Sequence, residues 1–203
     1  MVTYDEDFCD EFRGHNCPAE IYYEMFTGAC ELETIFFYSE KGKKMQTKKK
    51  VMFISSTGGH FSELMQLKPM FEKYDYHIVT EKDEVTKGFK EQYGKKMHFM
   101  IYGTRAHIIS YIFKFLANCF ITLFLFIKIR PKYIITTGTH NAGPMCILGH
   151  IFKRKIIYIE TFANRYTKTA TGKRVYKFAD LFIVQWEELL KEYPKAKYGG
   201  SIY

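Results

Sequence analysis

Short apolar runs alternate with longer amphipathic segments along most of the chain, beginning at Val51. The short runs predict β-strands over Val51–Ser55, Tyr76–Thr80, Met97–Tyr102, Tyr133–Thr137, Ile156–Glu160 and Leu181–Val184. The longer segments predict helices near His60–Lys73, Glu84–Gln92, Ala106–Ile129, Ala142–Phe152, Gly172–Phe178 and Glu187–Tyr193. This alternation predicts an α/β, Rossmann-like fold with a mainly parallel sheet, helices on both faces and right-handed crossovers.

Charge divides the 203-residue chain into two parts. Residues 1–44 hold 10 acidic and 4 basic side chains, a net charge of −6, whereas residues 45–203 carry +14. We therefore expect one folded domain over residues 45–203, beginning near Met45, and an acidic leader that is disordered or a misplaced start. The basic domain favours an anionic partner such as a phospholipid surface or a nucleotide. Nucleic acid is disfavoured, because the basic residues are spread over loops and no nucleic-acid motif is present.

The cysteines do not follow the spacing of a metal site or a disulfide framework. They are Cys9, Cys17, Cys30, Cys119 and Cys146, and no two of them form a CxxC pair. No cluster of histidine and carboxylate residues has ligand spacing either. We expect reduced thiols in a cytoplasmic protein, and neither a metal nor a cofactor.

A glycine-containing turn follows the first predicted strand directly. It reads Ser55-Ser56-Thr57-Gly58-Gly59-His60 and leads into an amphipathic helix. Neither the dinucleotide fingerprint G-x-G-x-x-G nor the phosphate loop G-x-x-x-x-G-K-[ST] is present. Thr57, Gly58 and Gly59 are predicted to bind substrate, because glycine allows close backbone approach and a helix start attracts oxyanions. The alternative is a tight strand–helix turn without a ligand.

A second loop of small residues follows the fourth predicted strand. It runs over Thr136–Pro144, and its candidate substrate-binding residues are Gly138, Thr139, Asn141 and Gly143. Open parallel sheets bind ligands at the carboxyl ends of their strands, so the two loops are expected to face one crevice. His60 is the candidate general base toward an acceptor hydroxyl, with His140 as a second candidate. The alternative for either histidine is a structural hydrogen bond.

A third candidate region begins at Glu160, at the end of the fifth predicted strand. This carboxylate is a further candidate base or a group that orients sugar hydroxyls. The cationic candidates for a phosphate are Arg165 and Lys173, with Thr171 and Gly172 beside them. A solvated basic loop is the alternative. Trp186, the only tryptophan, is a candidate for a partner contact, helix docking or stacking against substrate.

One predicted helix has the length and apolarity of a membrane span, Ile108–Ile127. Its polar residues recur every fourth position, namely Ser110, Lys114, Asn118 and Thr122. A span is disfavoured, because it would place strands of one sheet on opposite sides of the membrane. Basic residues bracket the segment, including Arg105, Lys128 and Arg130. The pattern therefore predicts an interfacial helix over residues 106–129 on anionic lipid, with a buried crossover helix as the alternative.

Several of these motifs, taken in order, resemble one known family. They are Gly58–Leu64, Thr137–Pro144, Tyr158–Thr161, Thr171–Lys173 and Asp180–Trp186. The set resembles the membrane-anchoring subunit of the two-part UDP-N-acetylglucosamine transferase of lipid-linked oligosaccharide synthesis, and is most similar to its bacterial relatives in capsular and exopolysaccharide assembly. The resemblance covers the chain from about Lys50 to the C-terminus and leaves the leader outside.

The resemblance implies half of a split GT-B glycosyltransferase, equivalent to the N-terminal, acceptor-side half. A separate small subunit would bind most of the UDP-sugar donor, and the acceptor would be a lipid-diphosphate-linked glycan at the cytoplasmic face of the membrane. The Gly58-Gly59-His60 turn matches the glycine-rich loop of the peptidoglycan lipid-linked N-acetylglucosaminyltransferase, which lines the acceptor cleft.

Two departures qualify what the resemblance implies. The bacterial relatives differ in the sugar that they help to transfer, so the donor does not carry over. Eukaryotic members carry an N-terminal membrane helix that the acidic leader lacks, so membrane contact is expected from Ile108–Ile127 instead. The C-terminal segment, with Tyr198, Ile202 and Tyr203, is a candidate docking tail for the partner subunit. A rival interpretation is a non-catalytic scaffold that recruits and activates a glycosyltransferase at the membrane.

Overall fold

The computed structural model describes residues 48–103 and 108–202 of the chain. The predicted leader over residues 1–44 and the predicted domain start at Met45 lie outside these ranges. So do Arg105 and Tyr203, which were candidates for membrane and partner contact.

Seven strands and five α-helices alternate along the described chain. The strands are β1 Lys50–Ile54, β2 Asp75–Glu81, β3 Met97–Met100, β4 Tyr133–Thr136, β5 Lys155–Ile159, β6 Leu181–Val184 and β7 Lys197–Tyr198. The helices are α1 Gly59–Met65, α2 Glu84–Tyr93, α3 Ile108–Ile129, α4 Ala142–Ile151 and α5 Ala170–Val175. Three short 3-10 helices complete the order, at Lys68–Lys73, Gly94–Lys96 and Glu187–Lys191.

All the strands belong to one parallel sheet in the order β3-β2-β1-β4-β5-β6-β7. Val51 of β1 lies opposite Tyr76 on one side and Tyr133 on the other, which fixes the register of the central strands. The chain fills the sheet outward from β1 in one direction and then from β4 in the other. The loops after β1 and β4 therefore leave from the point where the strand order reverses, which is where open α/β sheets form a ligand crevice.

Alternate residues of each central strand enter two separate hydrophobic cores, one on each face of the sheet. Met52 and Ile54 join the core under α3, α4 and α5, which Leu125 and Met145 also enter. Val51 and Phe53 pack on the opposite face under α1 and α2. Because both faces are covered, strands β1, β4, β5 and β6 are largely apolar, as in other parallel sheets, whereas β2 and β3 also contain polar residues.

Two predicted helices differ from the structure, and one strand was not predicted. The helix predicted over His60–Lys73 ends at Met65, and Lys68–Lys73 forms a separate 3-10 helix. Pro69 lies at the start of that second segment, and its ring prevents an α-helix from continuing through it. The helix predicted at Glu187–Tyr193 is also a 3-10 helix, and the short strand β7 was not predicted. A two-residue strand gives no alternating pattern to detect.

Candidate functional site at the carboxyl edge of the sheet

The loops after β1 and β4 are held together by two hydrogen bonds that involve His60. The His60 Nδ1 lies 2.8 Å from the carbonyl oxygen of Thr137, and the Thr137 hydroxyl donates to the carbonyl oxygen of His60 at 2.7 Å. Gly58 and Gly138 hold φ values of 72° and 102°, which favour glycine, so both loops turn sharply beside this contact. The structure thus brings together two loops that the sequence placed in one crevice.

This contact determines which ring nitrogen of His60 carries a hydrogen. A carbonyl oxygen can only accept a hydrogen bond, so Nδ1 must carry the hydrogen that it donates to Thr137. In the neutral ring the second nitrogen, Nε2, then has a free lone pair. The ring is partly exposed. His60 is therefore fixed in the tautomer that a general base needs, with Nε2 available to accept a proton.

A buried carboxylate beside this loop, Glu81, was missed by the sequence analysis. It lies at the end of β2 and accepts hydrogen bonds from the Asn141 side-chain amide, the Thr57 N–H at 3.5 Å and the Gly103 N–H. Burial raises its pKa above the usual range, while the three donors favour its charged form. Glu81 thus links two predicted binding residues, Thr57 and Asn141. The predicted strand ended at Thr80, one residue before Glu81.

A second buried carboxylate, Glu63, lies one helical turn after His60 on α1. Its Oε1 accepts from the Thr161 hydroxyl and from the Phe162 N–H, both at 2.9 Å. Its Oε2 is buried with no hydrogen-bond partner. Burial is the largest cause of a raised pKa for Glu63, opposed by these two bonds and by the nearby His60. Glu63 joins α1 to the loop after β5.

Replacing Glu63 with glutamine is expected to stabilise the protein increasingly as the pH rises. The raised pKa of Glu63 means that the folded state holds the proton more tightly than the unfolded state, so its contribution to stability is full below the unfolded pKa and falls as the pH rises through the folded pKa. The glutamine side chain keeps an acceptor for Thr161 and Phe162 but does not titrate. Thermal unfolding from about pH 4 to about pH 8 measures the difference. The exposed Glu91→Gln serves as the control, and a difference that is constant with pH would contradict the expectation.

The predicted candidate Glu160 is enclosed by the protein. It is fully buried, its carboxylate accepts from the hydroxyls of Thr169 and Tyr193, and its Oε1 also accepts from the Thr161 N–H at 3.1 Å. A Cβ at Gly172 would lie 2.2 Å from the Glu160 Oε2, so a larger residue there would displace this carboxylate. Gly172 thus belongs to the packing around Glu160, and Thr171 beside it is buried. The structure therefore gives Glu160 a role in ordering the loop between β5 and α5.

The cationic candidates lie on the surface near the ends of β5 and β6. Arg165 forms an ion pair with Glu188 and stacks over the ring of Trp186, whose centroid is 4.7 Å away. The Trp186 Nε1–H donates to the Phe162 carbonyl oxygen at 2.7 Å. Arg165 is thus oriented by an anion and an aromatic ring of its own chain. Lys173 is exposed on α5, and Gly143 of α4 faces this helix across Thr171.

The second candidate histidine, His140, points to a different neighbour than His60 does. Its ring centroid lies 5.4 Å from that of Tyr111 and 6.4 Å from that of Phe115, both on α3. The β4–α4 loop therefore contacts α1 through Thr137 and α3 through His140. Thr139, between them, has a φ of 81° and a buried hydroxyl without a hydrogen-bond partner.

Helix α3 turns Asn118 and Thr122 of its polar stripe inward and its apolar side outward, while Ser110 at the start of the stripe is exposed. The buried Asn118 side chain accepts from the Ile101 N–H and donates to the Ile101 carbonyl oxygen, each at 2.8 Å, and Thr122 is buried beside β3. The outward side chains are strongly exposed, with Phe113 at 69% and Phe120 at 73%. A crossover helix buried on all its sides would not leave these side chains exposed. By length and composition the segment Ile109–Ile129 is also sufficient to cross a membrane.

The exposed apolar surface is wider than α3 itself. It continues onto the end of α4, where Ile147, Ile151 and Phe152 are each more than half exposed. Phe152 contacts Phe126 of α3, which joins the two helices. Among the predicted membrane-contacting residues, Lys128 and Arg130 are exposed at the end of α3, and Lys114 is partly buried near its beginning.

The C-terminal residues belong to the sheet rather than to a free tail. Tyr198 lies in β7, paired with Val184. The Ile202 N–H donates to the Gln185 side chain at 3.1 Å, and Gln185 in turn donates to the Glu160 carbonyl oxygen. This segment forms one edge of the sheet, so the predicted partner contacts of Tyr198 and Ile202 lie on a structured edge.

Neither a metal cluster nor a disulfide is found within residues 48–103 and 108–202. No group of three histidine, cysteine or carboxylate side chains in these ranges is placed to hold a metal ion. Cys119 and Cys146 are free, and burial raises the pKa of the Cys146 thiol to about 12, so this thiol is unreactive at neutral pH.

The fold is similar to two solved structures. One is MurG from Acinetobacter baumannii, with a TM-score of 0.60 and 13% identity, covering 76% of this chain and 46% of that one. The other is UDP-N-acetylglucosamine 2-epimerase from Rickettsia bellii, with a TM-score of 0.58 and 15% identity, covering 76% and 45%. The chain spans less than half the length of either. The predicted fold class is confirmed: a Rossmann-like parallel sheet of the kind that forms one half of a GT-B protein.

Sequence comparison identifies the family. Residues 51–202 match the family described as oligosaccharide biosynthesis protein Alg14 like, and this chain belongs to it. The UDP-N-acetylglucosamine transferase subunit ALG14 of Rattus norvegicus is 26% identical over 184 residues, covering 75% of this chain and 82% of that protein. The subunit of the same name from Candida albicans is 26% identical over 183 residues, covering 80% and 82%. The Kluyveromyces lactis subunit is 48% identical over 75 residues, covering 32% of each chain.

Proposed function

We propose that this chain is the acceptor-side, membrane-associated subunit of a split glycosyltransferase, which transfers a sugar from a UDP-sugar to a lipid-diphosphate-linked glycan. The observation that carries this proposal is the His60–Thr137 contact. It fixes a general base at the strand-order reversal, between two loops built from small residues. The family and the names of its relatives favour UDP-N-acetylglucosamine as the donor.

The reaction requires one proton transfer that this chain can perform. The acceptor hydroxyl attacks the anomeric carbon of the donor sugar, and the bond from that carbon to the UDP oxygen breaks. The His60 Nε2 takes the proton of the hydroxyl as its oxygen becomes bonded to carbon. The departing diphosphate needs positive charge, and we assign most of this to the partner subunit. Lys173 is an exposed cation that this chain can add.

A separate donor-binding subunit is supported by the names of the relatives. The relatives are themselves named as subunits, and this chain spans 82% of their length. It spans only 46% of MurG, a single chain with the same kind of sheet. We propose that the UDP-sugar is bound between this chain and the small subunit, with the edge containing Trp186 and Tyr198 among the contact candidates.

The membrane contact is assigned to α3. Its outward apolar side continues onto α4, and Lys128 and Arg130 lie at its end, which suits a helix lying in the interface of an anionic bilayer. The inward Asn118 and Thr122 contact β3 and the segment after it, so the middle of the helix is fixed to the sheet. We propose peripheral or monotopic attachment at the cytoplasmic face, which places the crevice beside the lipid surface.

The deciding experiment is transferase activity with this chain alone and then together with the small subunit of the same organism. The acceptors are a phytanyl-diphosphate-linked N-acetylglucosamine and the corresponding lipid-linked capsular precursor, each offered with a panel of UDP-sugars. We expect activity only in the mixture, and the products identify the donor and separate oligosaccharide from capsular or exopolysaccharide synthesis. Activity of this chain alone would contradict the split enzyme. A mixture whose activity survives removal of the His60 base would support a scaffold instead.

A further inference from the structure

Three loops of the crevice meet at one buried carboxylate, that of Glu81. Thr57 belongs to the loop after β1, Gly103 to the segment after β3, and Asn141 to the loop after β4, and all three donate to Glu81. The side chain of Glu81 is only 3% exposed. A carboxylate that accepts hydrogen bonds from three separate segments fixes their relative positions.

The hydrogen bond to Glu81 also determines which way the Asn141 amide faces. The carboxylate of Glu81 accepts, so the Asn141 Nδ2 must point toward it and the Oδ1 must point away. That Oδ1 is buried and has no hydrogen-bond partner. An unpaired buried acceptor is costly, and native proteins retain such groups where a ligand or water satisfies them.

The backbone beside Asn141 is strained in the same place. Thr139 holds a φ of 81°, which a β-branched residue rarely adopts, and its hydroxyl is also buried without a partner. Strain and unpaired polar groups together are typical of a loop that completes its contacts on binding. Two polar atoms of one loop, on Thr139 and Asn141, thus lack partners.

We propose that Glu81 is a positioning residue that fixes the amide of Asn141, so that the Asn141 Oδ1 accepts a hydrogen bond from a hydroxyl or amide N–H of the acceptor glycan. The inference rests on the proposed function and names the atom of this chain that recognises the acceptor. Glu81 itself does not touch the ligand. It determines which side-chain atom of Asn141 faces the ligand.

The substitution Glu81→Gln tests this assignment directly. It keeps the shape of the side chain and exchanges one hydrogen-bond acceptor for a donor. The Thr57 N–H and the Asn141 amide bond different oxygens of Glu81, and the Thr57 N–H can only donate, so the oxygen of the introduced glutamine must face Thr57. The new amide group then faces Asn141, which turns over to offer Oδ1 to it. The Asn141 Nδ2 consequently replaces Oδ1 as the group that meets the acceptor.

We expect Glu81→Gln to raise the KM for the acceptor roughly 10- to 100-fold with little change in kcat. The reason is that the Asn141 Nδ2, a hydrogen-bond donor, then faces the hydroxyl or N–H donor of the acceptor glycan. The assay uses the complex with the small subunit, UDP-N-acetylglucosamine and phytanyl-diphosphate-linked N-acetylglucosamine. Deoxy analogues of this acceptor identify the hydroxyl that donates to the Asn141 Oδ1. The wild type discriminates against the analogue that lacks this hydroxyl, and Glu81→Gln does not. Glu84→Gln, the same change on the exposed start of α2, is the control.

A second variant and a binding measurement keep the test decisive. Asn141→Ala removes Oδ1 directly and is expected to lose the same discrimination, with thermal unfolding reporting on the fold of both variants. An unchanged acceptor KM and unchanged discrimination in folded Glu81→Gln would overturn the assignment. Calorimetric titration of the complex with the same acceptor in detergent measures acceptor binding directly. It therefore tests the role of Glu81 even where no transfer occurs. A wild-type complex that neither binds nor transfers would overturn the proposed function, and the Glu81 assignment with it.

Discussion

Replacing His60 with asparagine is expected to reduce sugar transfer roughly 100- to 10,000-fold while leaving the fold intact. The amide of the introduced asparagine can donate to the Thr137 carbonyl oxygen as Nδ1 does in the wild type, where the distance is 2.8 Å. It offers nothing in place of Nε2, the lone pair that accepts the proton. Initial rates of the assembled complex at saturating acceptor measure the loss in kcat, and thermal unfolding measures the fold.

Two control variants separate the loss of the base from a loss of the fold. His60→Ala removes both the base and the bond to Thr137, so it should match the asparagine variant in activity but unfold at a lower temperature. His150→Asn changes an exposed histidine at the end of α4 and should leave transfer unchanged. If the asparagine variant kept near-normal kcat, His60 would serve only to hold the two loops together, and the scaffold interpretation would gain support.

Introducing charge on the outward side of α3 is expected to remove the protein from membranes. Phe113, Phe120 and Phe124 are 62–73% exposed, so their replacement by glutamate disturbs no core. Burying each phenylalanine in the interface contributes at least ~1.5 kcal/mol, and losing three weakens binding by roughly 1,000-fold or more. Co-sedimentation with vesicles of phosphatidylcholine and phosphatidylglycerol measures the change.

The matched control is Val85→Glu on α2, because Val85 is 70% exposed and lies away from α3. This variant should bind vesicles like the wild type. Raising the salt concentration should weaken wild-type binding, since Lys128 and Arg130 attract anionic lipid through a screened interaction. If the triple variant still bound these vesicles as the wild type does, membrane contact would have to come from another surface.

Much of the sheet could be predicted, because a parallel strand buried on both faces is a continuous apolar run between polar segments. Strands β1, β4, β5 and β6 follow this rule, whereas β2 and β3 also contain polar residues. Errors arose where the local pattern is weak: β7 has two residues, and the proline after Lys68 splits one predicted helix into an α-helix and a 3-10 helix. These errors lie at element ends and connections, where tertiary contacts determine the conformation.

The candidate site was predicted in part. His60, Thr57 and Asn141 could be proposed from small-residue loops that follow strands, and the structure brings their loops together. Glu81 and Glu63 could not be singled out, because a lone glutamate in a sequence is usually a solvated surface residue. Only their burial shows that they organise the loops.

The sequence by itself determined the order of strands and helices, the two loops that bear the candidate base, and the apolar character of α3, since these depend on local periodicity and residue type. The tertiary structure decided which candidates meet. It buried Glu160 among Thr169 and Tyr193, paired Arg165 with Glu188, and turned Asn118 inward. The physical reason is that burial and hydrogen-bond partners come from residues distant in sequence, and the neighbours of a side chain determine its charge state and chemical role.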